Sequence, residues 1–136
     1  MRTGLMIGAA DLAELTIEDT VVLAQKAESR GFASLWMAHV FGLDAISTLA
    51  MVGQQTSSIS LGTAVTPTYP RHPTAIAQQA LTAGAAAGGR FTLGIGLSHQ
   101  IVIEGMFGLS YDKPAKHMKE YLTILGPLLK GQTVTY

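Results

Sequence analysis

Three histidines follow short apolar runs in this chain: His39 after Phe32–Ala38, His72 shortly after Ile59–Thr66, and His99 after Phe91–Leu97. Polar groups just beyond a buried parallel strand sit where such folds assemble their sites. A histidine there offers proton transfer or a hydrogen bond to a cofactor ring edge; a loop histidine satisfied by backbone is the competing reading. Both readings are open for His39 and His99, whereas His72, next to Pro73, reads as structural. A metal held by His39, His72 and His99 lacks support, because no carboxylate ends a strand and no i, i+4 pair occurs. Ser98 as a nucleophile is weaker still, since its only close base is its own neighbour and no orienting carboxylate is evident.

The run before Ser98 and His99 is unusual in what it alternates. Phe91, Leu93, Ile95 and Leu97 have the period of a strand, but Thr92, Gly94 and Gly96 lie between them. Mid-strand glycines weaken a strand unless something lies close against the backbone, either a flat ligand or a tightly packed neighbour. Ala64, Val65 and Thr66, followed by Pro67, form the other small-residue strand end, where a backbone ridge could enter a site or the strand could simply stop.

The elements that position these residues alternate between strand and helix. Leu5–Ile7 predicts a short buried strand, and Thr16 with Asp19 a capping box that opens a helix ending at Gly31. Phe32–Ala38 is the second strand, Asp44 caps a helix over 45–54, and Ile59–Thr66 is the third strand. Pro73 opens a helix over 74–87, and the glycine strand is fourth. After a loop with Met106-Phe107-Gly108, a last helix starts at Asp112 and buries Ala115, Met118, Leu122, Leu125 and Leu129. The order is an α/β pattern with a parallel sheet, either doubly wound or part of a (β/α)8 barrel. The absence of a glycine-rich dinucleotide fingerprint and of a P-loop favours the barrel.

Composition narrows the function classes. Nine basic and nine acidic residues cancel, so nothing marks the chain for nucleic acid or an anionic membrane. No cysteine is present, which excludes disulfides and thiolate chemistry. Asp11 and Glu14 interrupt the N-terminal apolar run too early for a signal peptide, so a soluble cytoplasmic protein is the default expectation. Only 13% of residues are charged, against about 25% in ordinary soluble proteins, and Arg71 is the sole formal charge between Asp44 and Arg90. Helices 45–54 and 74–87 therefore lack the charged stripe that water normally meets, which predicts that they are covered, for instance in a homodimer.

Taken in order, Leu35-Trp36 with His39, Gly62–Pro67, Tyr69–Pro73, and Gly88-Gly89-Arg90 leading into Gly94–His99 resemble the luciferase-like monooxygenase superfamily. Within it they are most similar to oxidoreductases that use the deazaflavin coenzyme F-420. The resemblance implies a (β/α)8 TIM barrel of the bacterial luciferase-like type, of which residues 1–136 are a single domain supplying the first four βα units. It implies a non-proline cis peptide at Ala64 and Val65 backing the coenzyme ring, with Thr66, Gly94, Gly96, Leu97, Ser98 and His99 close to the coenzyme. It also implies that His39 is catalytic, in proton transfer, and that dimers form through the two uncharged helices. The expected reaction is hydride transfer between the deazaflavin and a small organic substrate. FMN-dependent oxygenation is the alternative within the superfamily, and a non-catalytic, self-associating half-barrel is the alternative of another class. A whole barrel takes about 250 residues, so the chain is expected to be the N-terminal half of a longer protein or a half-barrel.

Overall fold

The computed structural model describes residues 2–8 and 15–135; Asp11 and Glu14, used above to argue against a signal peptide, lie outside them. Eleven elements are assigned among the described residues: β1 (Gly4–Ile7), α1 (Ile17–Ser29), β2 (Ser34–Met37), α2 (Ala45–Gln54), β3 (Ser60–Thr63), β4 (Thr66–Pro67), α3 (Pro73–Ala86), β5 (Phe91–Thr92), β6 (Ile95–Gly96), α4 (Gln100–Gly105) and α5 (Pro114–Leu129). Four strands form one parallel sheet in the order β1-β2-β3-β5, and β4 pairs with β6 beyond it. Strands that add in chain order, always on the same side, are the progression of a barrel; a doubly wound sheet reverses direction at a switch point. The fold is thus α/β, a consecutive portion of a (β/α)8 barrel.

Register explains the core. Leu5, Leu35, Leu61 and Phe91 form one cross-strand row and Met6, Trp36, Gly62 and Thr92 the next. Because successive side chains point to opposite faces, only the first row meets the helices. Leu35, Met37, Ile59 and Leu61 are fully buried against Ala24, Ala27, Leu49 and Val52, and each of the larger side chains contributes about 2 kcal/mol by burial. The other face is open: Met6 is 62% exposed. The expectation of a uniformly buried first strand is therefore corrected, since β1 is covered on one face only.

The third and fourth strands, expected to be continuous, are each split. β3 stops at Thr63 and pairing resumes at Thr66, with a cis Ala64–Val65 peptide between. β5 stops at Thr92 and resumes at Ile95. Thr63 splices the interrupted ladder: its hydroxyl donates to the Gly94 carbonyl at 2.7 Å and accepts the Gly94 N–H at 2.9 Å. A buried backbone group deprived of a ladder partner needs such a substitute.

Helix boundaries follow the expected caps. Thr16 and Asp19 form the capping box, Asp44 caps α2 through Ser47, and Gly31, Gly88 and Gly131 take positive φ just beyond α1, α3 and α5. Two helical expectations need correction. The stretch after the glycine strand contains α4, read from sequence as loop. In α5, which starts at Pro114 instead of Asp112, Tyr121 and Leu125 are buried while Leu122 is 50% exposed. The buried stripe is rotated because Tyr121 buries its ring and still donates its hydroxyl to the Arg71 carbonyl at 2.9 Å. A pattern that counts only aliphatic residues misses it. α2 and α3 pack on one another, and Ile76, Ala77 and Ala83 of α3 meet Tyr121 and Leu125 of α5. Part of the cover expected for the uncharged helices is thus supplied within the chain; Met51 and Leu81 stay exposed on them. No described helix is long and apolar enough to cross a membrane.

Candidate active site

The strand C-terminal ends converge on a cleft of about 610 Å³, within the range of about 300–1,000 Å³ usual for small-molecule sites. Its floor is the Ala64–Val65 ridge with Pro67. One wall carries Ala38, His39 and Arg71; the other carries Ser98 and His99. Val40, Phe41, Val102 and Phe107 give the mouth an apolar rim, with Phe41 63% exposed.

His39 follows β2 and is largely buried, its side chain 11% exposed. Its Nε2 lies 2.8 Å from Nη2 of Arg71, whose Nη2 also donates to Oδ2 of Asp44 at 3.1 Å. Asp44 divides its carboxylate between two tasks: Oδ1 accepts the Ser47 N–H at 2.8 Å as the α2 cap, and Oδ2 holds Arg71. Burial, and then the adjacent guanidinium, hold His39 below the usual histidine range, with Asp44 opposing. Asp44 is held below the usual carboxylate range despite burial, by the Ser47 contacts and the neighbouring His39 and Arg71. The outcome is a neutral imidazole beside a fixed cation.

Of the residues singled out from sequence, the fold brings His39, Ala64, Val65, Ser98 and His99 to the cleft. Ser98 has a φ of 62°, a conformation that costs a non-glycine residue about 1 kcal/mol, and its carbonyl accepts the Tyr111 hydroxyl at 3.2 Å. Thr66, Gly94, Gly96 and Leu97 do not line it. Thr66 is fully buried, and its hydroxyl has no partner among the described residues. A side chain at Gly94 would strike the Thr63 carbonyl, and one at Gly96 would strike the Val65 side chain. These glycines therefore let β5 and β6 close against the Thr63–Val65 bulge. His72 caps α3 by accepting the Thr74 N–H on Nδ1 at 3.2 Å, as its sequence position suggested. Three or more potential metal ligands do not gather anywhere among the described residues.

Sequence reading missed Arg71 and the second role of Asp44, as well as the rim of Phe41, Val102 and Phe107. A signal for Arg71 was present: it is the one formal charge in a 45-residue span (positions 45–89). His117 was also missed. It stacks on Tyr69 with ring centroids 3.9 Å apart and places Nε2 3.0 Å from the Thr68 hydroxyl; nothing in its sequence context separates it from a solvent-facing helix residue.

A family model, the luciferase-like monooxygenases, matches residues 2–136. The chain belongs to this family. It is 40% identical over 103 residues to a putative coenzyme F420-dependent oxidoreductase of Mycobacterium tuberculosis, covering 76% of this chain and 30% of that protein. It is 34% identical over 113 residues to 5,10-methylenetetrahydromethanopterin reductase of Methanolobus tindarius, covering 82% of this chain and 34% of the relative. The chain thus spans about a third of the length of the curated relatives it matches. Among solved structures, the oxygenating constituent of 3,6-diketocamphane monooxygenase from Pseudomonas putida, in complex with FMN, superposes with a TM-score of 0.83 at 20% identity, covering all of this chain and 41% of that one. At that identity the likeness concerns the fold alone.

Proposed function

We propose that this chain forms the coenzyme-facing wall of a deazaflavin-dependent oxidoreductase, with coenzyme F-420 as cofactor. The carrying observation is the cleft at the strand ends, where Ala64 and Val65 share the lining with a neutral histidine held by an ion pair. Its volume and mostly apolar walls fit a planar ring system, and relatives at 34–40% identity carry the names of an F420-dependent oxidoreductase and a 5,10-methylenetetrahydromethanopterin reductase. When bound, the deazaflavin would supply the hydride chemistry. The Ala64–Val65 ridge and Ser98 would bind and orient the ring. Val40, Phe41 and Phe107 would exclude water from the reacting centre, and His39 would give or take the proton that accompanies hydride transfer to a small organic substrate.

FMN is the second reading, favoured by the fold neighbour that holds FMN. Titrating the protein separately with F420 and with FMN, followed by fluorescence, separates them; F420 binding tighter than FMN is the expected outcome, and the reverse order sinks the deazaflavin assignment. Self-association through 45–54 and 74–87 belongs to the same proposal, with exposed Met51 and Leu81 as its contacts. Sedimentation that returns only a monomer at micromolar concentration would remove that part.

A further inference from the structure

Both ring nitrogens of His39 face N–H donors. Nη2 of Arg71 lies 2.8 Å from Nε2, and the Ala45 N–H lies 3.3 Å from Nδ1. A neutral imidazole has one lone pair to offer, and the shorter, charge-assisted contact to Arg71 has first claim on it. An imidazolium has none. Protonating His39 in this arrangement would remove the lone pair that Arg71 uses and set one cation 2.8 Å from another. Arg71 cannot yield the proton itself, because a guanidinium stays charged.

From this we infer that Arg71 is a positioning residue that gates His39: the histidine takes up a proton only when the guanidinium leaves Nε2. Asp44 is the anchor that makes such a movement reversible, since it holds Nη2 at 3.1 Å and lies 3.7 Å from Nε2 of His39, near enough to receive either cation. The backbone of Arg71 is fixed independently by the Tyr121 hydroxyl, which confines the movement to the side chain. The other described titratable groups around His39 are His99 across the cleft and Tyr121 behind Arg71. This inference deepens the reading of His39 as the proton-handling group, because it states what must move before a proton can be exchanged.

The test is an imidazole ¹H–¹⁵N NMR titration of the chain without any cofactor, so that its result does not depend on the coenzyme assignment. Arg71→Met is expected to raise the His39 midpoint by about one pH unit or more, as loss of a neighbouring cation does. Asp44→Asn keeps the α2 cap, because asparagine serves there equally well, and is expected to lower the midpoint. If Arg71→Met does not fold, Arg71→Gln decides in its place, with a raised midpoint expected again. An unchanged His39 midpoint in a folded Arg71 variant overturns the gate, while F420 binding, read separately, would still stand or fall by itself.

Discussion

Arg90 precedes its strand and Arg71 follows one, toward opposite ends of the parallel strands, and their partners differ in kind. Arg90, at the N-terminal end, gives Nη1 to the Ile59 carbonyl and the Thr56 hydroxyl, and Nη2 to the carbonyls of Gly53 and Thr56. Beside it, the Glu28 carboxylate accepts the N–H groups of Ser57, Ser58 and Ile59. Both side chains clamp the α2–β3 connection, and their partners are almost all backbone groups. Arg71, at the C-terminal end, has as its partners two other side chains, both able to change charge, and its surroundings include exposed apolar residues and a left-handed serine. Charge at one end is spent on backbone that must not move. At the other it is held in a set of groups whose protonation can change. This division is the one expected of a barrel, with stability at the bottom and chemistry at the top.

Variants at the two ends should therefore fail differently. Arg90→Met strips a charged donor from three carbonyls and is expected to cost about 3 kcal/mol of stability in urea unfolding, because hydrogen bonds to charged groups are worth about 1.5–3 kcal/mol each. A loss under about 1 kcal/mol would mean that water replaces the clamp. His39→Ala should do the opposite. Turnover, measured in a catalytically complete protein carrying this chain, is expected to fall about 10²-fold with F420 affinity and melting temperature little changed. An unaltered rate would return His39 to a packing role.

Gly96→Ala tests the boundary between the two ends. The added methyl meets Val65, so about 1–2 kcal/mol of stability should be lost, and Val65→Ala in the same chain should recover most of it. Strict additivity in that double-mutant cycle would separate the two positions. The smallest effect concerns pH. Against the cost of burial, the backbone N–H groups of Ser57–Ile59 bring Glu28 down to about 2. A carboxyl with a depressed folded pKa stabilises above its unfolded value of 4.5, and that contribution is lost as pH falls through about 2. Glu28→Gln should flatten the acid limb of a melting-temperature profile between those limits. An unchanged limb would assign acid sensitivity to other groups.

What the sequence determined was local and periodic. Thr16 with Asp19, Asp44, His72 with Pro73, and the glycines at 31, 88 and 131 set the helix ends, because capping depends on residues a few positions apart. The alternation of apolar and small residues marked the strands, and the ordered motifs marked the family and the histidine that ends β2. The tertiary structure decided what depends on groups far apart in the chain. It set the glycines at 94 and 96 in close packing, because the atoms they admit belong to Thr63 and Val65, some 31 residues away. It buried Tyr121 because a hydroxyl partner waited at Arg71, 50 residues earlier. And it joined Arg71, which looked like a lone charge in a neutral stretch, to His39 and Asp44, separated from it by 32 and 27 positions. A side chain's charge is written in the sequence; the field in which it works depends on which strand ends the fold brings together.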